Sequence, residues 1–363
     1  MKRKFNHFYL SLLGGALLTL GACSKNDDPE PLPPTPEEIG IYVLNEGANM
    51  NSGLGFLSLS TTQYTDEVYP GGIGKGANDI AIYGTKLYVA VTDENKLLVL
   101  DAASRSELET INISFPRSIL SYRGKIYVTS QGENKLVAVD TSNYSVNSVS
   151  VGRSPEQLTA ISGKIYVANS GWREASNGGD YDDRISVVNA SSLTVENSIT
   201  VAENIQTIAA DTTQNVLYVN AAPTYSSQPV KPSKLYVVNT ANNQITPMNF
   251  GAEDIAVVPE TKQAYMISRN YNNSEKATCL LMNLTNQTVQ NFGNDANMEN
   301  PYSIRFLLSA GGLLLIGDAK SDYTSKGKFH IYTLYQNGSS QFGGSFNAGV
   351  SPKAFAFNIN EKK

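Results

Sequence analysis

An internal repeat is the feature that most restricts how this chain can fold. The run Lys86-Leu87-Tyr88-Val89 returns as Lys125-Ile126-Tyr127-Val128, Lys164-Ile165-Tyr166-Val167 and Val216-Leu217-Tyr218-Val219, with weaker copies at Ile41-Tyr42-Val43, Ala264-Tyr265-Met266 and Leu313-Leu314-Leu315. With Tyr42, Tyr88, Tyr127, Tyr166, Tyr218, Tyr265 and Leu314 as markers, the spacings are 46, 39, 39, 52, 47 and 49 residues, which makes seven units. Repeats of this size are supersecondary units that cannot bury their apolar faces alone and must stack on one another.

Several units carry a second apolar run downstream, as in Lys96-Leu97-Leu98-Val99-Leu100-Asp101, Lys135 to Asp140, Arg184 to Asn189 and Lys234 to Asn239. Each ends in Asp or Asn, whose side chain can bond the backbone of the following turn. A fainter alternation follows at Val146, Val149 and Val151, and again at Leu193, Val195, Ile199 and Val201. With an innermost strand ahead of each later marker, the unit is four short strands, the size of a propeller blade. No stretch beyond the N-terminal segment sustains a helical period, so the expectation is all-β: a seven-bladed β-propeller over 39–360. The first unit lacks its innermost strand, and the C-terminal Pro352-Lys353-Ala354-Phe355-Ala356-Phe357 matches one. Pairing of that strand with the first blade would close the ring and leave no open sheet edge inside it.

The N-terminus reads as a targeting segment. Lys2, Arg3 and Lys4 precede an apolar run from Phe8 to Leu20, too short to span a bilayer as a helix. It ends in Leu20-Gly21-Ala22-Cys23, which resembles the bacterial lipobox, so 1–22 is expected to be a lipoprotein signal peptide and Cys23 the lipidated residue. Residues 23–38, rich in Pro and acidic side chains, form an extended tether with nothing to pack a core. Acidic residues directly after the cysteine resemble the surface-export signal of Bacteroidetes lipoproteins, which implies an outer-membrane, surface-exposed protein that meets the membrane only through its lipid. Loss of 1–22 would leave 25 basic against 33 acidic residues, a formal charge of −8 that argues against nucleic acid as a ligand. Beyond Cys23 the only cysteine is Cys279, so the folded domain has no disulfide within it.

Aligning the innermost strands puts Asn78, Arg117, Glu156, Gln206, Glu253, Tyr302 and Lys353 at one place in each unit. Two positions later stand Ile80, Ile119, Leu158, Ile208, Ile255, Ile304 and Phe355, which read as core. The first set would ring the mouth of the central channel, and its variety favours recognition over a repeated structural role, although solvated strand starts remain the plain alternative. The loops after the markers should open on the same face. Four are long and hold aromatics: Trp172 and Tyr181, Tyr225, Tyr271, and Tyr323. Together they suggest a platform for a large, partly flat, polar ligand.

Catalytic and metal chemistry find little footing. His330 is the only histidine after the signal, with no motif around it, which excludes a multi-histidine metal centre. Asp180, Asp182 and Asp183 lack the spacing of a calcium loop and read as a solvated acidic loop. Carboxylate chemistry by Glu156 and Glu253 across the ring is the one enzymatic alternative left open. The expectation is a protein that is not an enzyme and holds no metal.

The phrase Val151-Gly152-Arg153-Ser154-Pro155-Glu156-Gln157-Leu158, followed by Gly163-Lys164-Ile165-Tyr166-Val167-Ala168-Asn169, resembles the repeat of YncE-like seven-bladed propellers. The opening Tyr42-Val43-Leu44-Asn45-Glu46-Gly47, with the lipoprotein start, is similar to Bacteroides surface lipoproteins of the BtuG type. That resemblance implies capture of a corrinoid (cobalamin, vitamin B12), as a ligand and not a cofactor, and its transfer to a TonB-dependent outer-membrane transporter. The alternative is a scaffold or adhesion propeller whose same face binds a protein or glycan.

Overall fold

A computed structural model describes residues 39–227, 229–269, 276–307 and 312–358. The signal segment, Cys23, the tether, Tyr271 and the last residues of the expected domain lie outside the described residues. The described chain forms seven antiparallel sheets that follow one another around a ring. Blade 2 shows the pattern: Ala77–Tyr83 innermost, then Lys86–Val91, Lys96–Asp101 and Glu107–Asn112. The innermost strands of blades 3 to 7 are Pro116–Tyr122, Pro155–Ile161, Ile205–Asp211, Asp254–Val258 and Pro301–Leu307. In blade 1, Pro352–Asn358 pairs antiparallel with Gly40–Asn45, with Val43 opposite Phe355, so the C-terminal strand closes the ring as its sequence indicates.

The pleat explains why the repeated run alternates as it does. In blade 1, Tyr42 and Leu44 pack against Leu87 and Val89 of blade 2, whereas Ile41 and Val43 pack against Leu315 and Phe329 of blade 7. Each blade is thus apolar on both faces and is buried between neighbours. Full burial of such a side chain contributes about 1.5–3 kcal/mol. The Tyr42 hydroxyl donates to Ala102 O at 2.6 Å and the Tyr127 hydroxyl to Ala190 O at 2.9 Å, tying a blade to the next one's turn. The strand-closing Asp and Asn side chains act as expected: Asp101 Oδ1 accepts Ser104 N at 2.7 Å, Asp140 Oδ1 accepts Ser142 N at 2.8 Å and Asn189 Oδ1 accepts Ser191 N at 2.9 Å.

Three sequence expectations need correction. The seventh marker is Leu315, not Leu314: Leu315 sits opposite Arg305 as Tyr88 sits opposite Ala81, and it faces blade 1. Three consecutive leucines carry no register, and only strand pairing fixes which of them faces which blade. Val151, Leu193 and Val201 fall outside the outer strands Val146–Ser150 and Thr194–Thr200; Leu193 occupies a left-handed turn position at φ 53°. A five-residue helix, Trp172–Ser176, interrupts the loop after blade 4's marker, too short to leave a period in the sequence.

Candidate functional site

The seven aligned residues come together. Asn78, Arg117, Glu156, Gln206, Glu253, Tyr302 and Lys353 all line one cavity of about 220 Å³ at the channel mouth. The backbone gives the reason. In blades 1 to 5 and in blade 7 the pairing of the innermost strand with its neighbour slips at this position, as between Ala77 and Asp79 or between Ile205 and Thr207. A bulge leaves an extra residue out of the ladder and re-aims its side chain, here into the channel. The residues two places on, from Ile80 to Phe355, are buried as expected.

Around the ring the charges are paired. Glu156, only 5% exposed, accepts Arg117 Nε at 3.1 Å and Gln131 Nε2 at 2.6 Å. Glu253 accepts Arg269 Nε at 3.0 Å. Asn78 Nδ2 donates to Arg117 O at 2.8 Å, and Gln206 Nε2 to Asn204 Oδ1 at 3.0 Å. Glu46 completes the circle: it accepts the Tyr302 hydroxyl on Oε2 and Lys353 Nζ on Oε1, the latter at 3.2 Å. Burial alone would raise the Glu46 carboxyl, but Lys353, the Tyr302 hydroxyl and, farther off, Arg117 outweigh it and hold it below the usual range. Burial pulls the Lys353 ammonium down against the attraction of Glu46, and the like charge of Arg117 adds to that pull.

One residue deeper, acceptors and hydroxyls alternate. Asp79, Gln157 and Asp254 each accept the backbone N–H of the following blade, from Ile119 at 2.9 Å, Ile208 at 3.2 Å and Ile304 at 2.8 Å. Between them, the hydroxyls of Thr207 and Ser303 donate to Glu253 O at 2.7 Å and Pro352 O at 2.6 Å, and Ser118 Oγ donates to Asp79 Oδ2 at 2.9 Å. Burial pushes the Asp254 carboxyl up, against the Ile304 N–H and Arg305. A second space of about 280 Å³ runs from this layer to Ile119, Leu158, Ile208, Ile255 and Ile304.

The loop aromatics are placed differently. Strand pairing puts their loops at the ring's end of each blade, since Pro155 lies opposite Asn169 and Ile205 opposite Ala221. Among the described residues, neither Trp172, Tyr181, Tyr225 nor Tyr323 lines the mouth cavity itself. Tyr323 is 42% exposed and meets Tyr302 edge-on at 6.0 Å between ring centroids, extending the ring outward. Trp172 and Tyr181 are half-buried, and Tyr225 is 61% exposed. Beside Trp172, the Arg173 guanidinium lies 3.9 Å from the centroid of the Phe115 ring. The acidic loop is only partly solvated: Asp180 is exposed, whereas Asp182 is buried and accepts Arg153 N at 2.8 Å, Asp183 N at 2.8 Å and Arg184 Nε at 3.0 Å. Among the described residues no group of three or more His, Cys, Asp or Glu is placed to hold a metal ion.

Alignment of the innermost strands missed Glu46, Gln131 and Arg269, each four residues after its blade's marker tyrosine (Tyr42, Tyr127 and Tyr265), and the alternating deeper layer. That layer was one position from the ring residues and could have been read by shifting the alignment by one.

No protein-family model and no curated protein matches the sequence. Solved structures do resemble the fold. A putative 6-phosphogluconolactonase from Bacteroides fragilis NCTC 9343 is 11% identical, with a TM-score of 0.60, over 90% of this chain and 99% of that one. A second, from Bacteroides uniformis ATCC 8492, is 11% identical at a TM-score of 0.60, over 89% of this chain and all of that one (100%). A chain of Kuenenia stuttgartiensis hydrazine synthase is 13% identical at a TM-score of 0.59, over 80% of this chain and 90% of that one. At such identities the likeness defines the class alone, a seven-bladed β-propeller.

Proposed function

We propose that this propeller is a capture protein that binds a polar small molecule over the channel mouth without turning it over, and that the ligand is a corrinoid passed on to a TonB-dependent outer-membrane transporter. The observation that carries the reading is the gathering of seven residues of six kinds, six of them at bulges, around one cavity. A structural rim needs no such variety, whereas a ligand with amides, a phosphate and an apolar plane needs several kinds of partner. A corrinoid is larger than the 220 Å³ mouth, so it would lie across it. Its amides would reach Asn78 and Gln206, its phosphate would meet Arg117 or Lys353, and Tyr323, Trp172 and Tyr181 would flank the plane. Lipidation at Cys23 would hold the protein at the outer membrane beside its transporter.

Isothermal titration of cyanocobalamin into a chain starting at Glu37, where the compact propeller unit begins, tests this. Binding that weakens at least tenfold in Gln206→Ala and in the Trp172→Ala, Tyr181→Ala double variant supports capture on this face. Absence of heat with the unaltered chain discards the corrinoid and leaves the protein- or glycan-binding scaffold as the reading to pursue.

A further inference from the structure

His330, the only histidine among the described residues and without a motif in the sequence, acquires partners from strands on either side. His330 lies on the third strand of blade 7, Lys326–Leu334, with Ile316 of the second strand and Ser345 of the outermost strand opposite it. Its Nδ1 is 2.7 Å from Ser345 Oγ and its Nε2 is 3.3 Å from Asp318 Oδ2. His330 is 1% exposed and Asp318 6%, while Ser345 is exposed on the edge strand Ser340–Val350. The Asp318 carboxyl is fixed in turn by Asn300 N on Oδ1 at 2.6 Å and Glu299 N on Oδ2 at 3.0 Å. A carboxylate only accepts, so the Nε2 proton points to Asp318 and the Nδ1 lone pair is left for the serine hydroxyl.

We propose that Ser345, His330 and Asp318 form a second site, an ester-cleaving relay on the outer edge of blade 7, independent of the channel mouth. The wiring reverses the ring nitrogens of the familiar serine-histidine-aspartate triad, but either nitrogen can serve as the base, and such constellations are defined by geometry and not by sequence order. Access also fits. Gly343 and Gly344 precede the serine, Gly344 at φ 136°, and a Cβ built at Gly344 would meet nothing closer than Phe346 Cε2 at 4.0 Å. Alternate N–H groups of an edge strand face solvent, where a developing oxyanion needs donors.

In the reaction Ser345 Oγ bonds to the acyl carbon while its proton passes to His330 Nδ1. The alkoxide then leaves as the alcohol, carrying that proton, and an acyl ester remains on Ser345. Water repeats the attack through the same nitrogen, releasing the carboxylic acid and restoring the hydroxyl. Asp318 touches no reacting atom and is a positioning residue. With the serine exposed on an edge strand, the substrates are small activated esters, aryl acetates foremost.

The test is labelling of the full chain with a fluorophosphonate, with the adduct mapped by mass spectrometry, beside p-nitrophenyl acetate hydrolysis. Ser104 and Ser142 are internal controls: exposed hydroxyls that donate to Asp101 and Asp140 at 2.9 and 2.5 Å with no imidazole between. The expected result is an adduct on Ser345 and on neither control, formed at least 100-fold more slowly in His330→Gln. Asp318→Asn should slow labelling without moving the adduct, and Asp318→Glu should recover part of the rate, a pattern that a merely structural role would not give. An unlabelled Ser345, or labelling no faster than at Ser104 and Ser142, overturns the proposal, and this comparison within one chain stands even if a variant fails to fold.

Discussion

Arg305 Nη2 lies 3.0 Å from Asp79 Oδ1, joining blade 7 to blade 2 across the channel with blade 1 between them. The other blades carry Ala81, Leu120, Thr159, Ala209, Ala256 and Ala356 at the position of Arg305, opposite the marker of the next strand. Those mostly small side chains leave the space through which the guanidinium passes. The two partners are unequal. Asp79 is buried and also accepts Ile80 N, Ser118 Oγ and Ile119 N, whereas the Arg305 side chain is 44% exposed to the channel. Asp79→Ala orphans several donors and should cost about 3 kcal/mol. Arg305→Ala, screened by water and leaving Asp79 its other donors, should cost about 1 kcal/mol or less. Urea unfolding midpoints measure the difference, and equal losses would contradict this ordering.

The marker tyrosines divide into tied and untied. Tyr42 and Tyr127 donate to the next blade's turn, but the Tyr88 hydroxyl is buried with no partner, because Lys86 Nζ takes the carbonyl of Thr141 at 2.5 Å. Tyr42→Phe and Tyr127→Phe should each lower stability by about 1 kcal/mol, while Tyr88→Phe should be neutral or stabilising. Thermal melts of the three variants decide this.

Glu46 links the first blade to the ring, and its carboxyl is held below the usual value of 4.5. A depressed folded value means that the native state binds the proton less readily than the unfolded chain. The contribution to stability is therefore whole above pH 4.5 and lost as the pH falls through the lower folded value. Glu46→Gln should cost about 2–3 kcal/mol at neutral pH, since it leaves Lys353 uncompensated. The gap between the two proteins should narrow on acidification below pH 4.5. A gap constant with pH would show that the pair is not the source.

Ring closure rests on a strand far from its sheet in sequence. Truncation before Pro352 removes Ala354, Phe355 and Ala356, all buried, and bares the inner edge of Gly40–Asn45. An exposed apolar edge favours association, so the truncated chain should be largely insoluble or melt far below the full chain. A soluble truncated chain with an unchanged melting temperature would refute closure by this strand.

The ring at the mouth was legible because each member sits a fixed step before an isoleucine, leucine or phenylalanine whose burial the sequence already indicates. Glu46 was not, since it reaches Tyr302 and Lys353 only after the two ends of the chain meet. The Ser345–His330–Asp318 contacts were hidden for the same reason: they run across three strands joined by turns of different length, so no spacing encodes them.

By itself the sequence determined the number of blades, their order and the closing strand, because alternating apolar runs at a near-regular interval admit one way of burying both faces of every sheet. Only the tertiary structure decided which leucine of blade 7 faces blade 1, which charges neutralise one another around the channel and where His330 points. Those depend on strand register, on bulges and on the ring's curvature, which bring together residues that no local pattern relates.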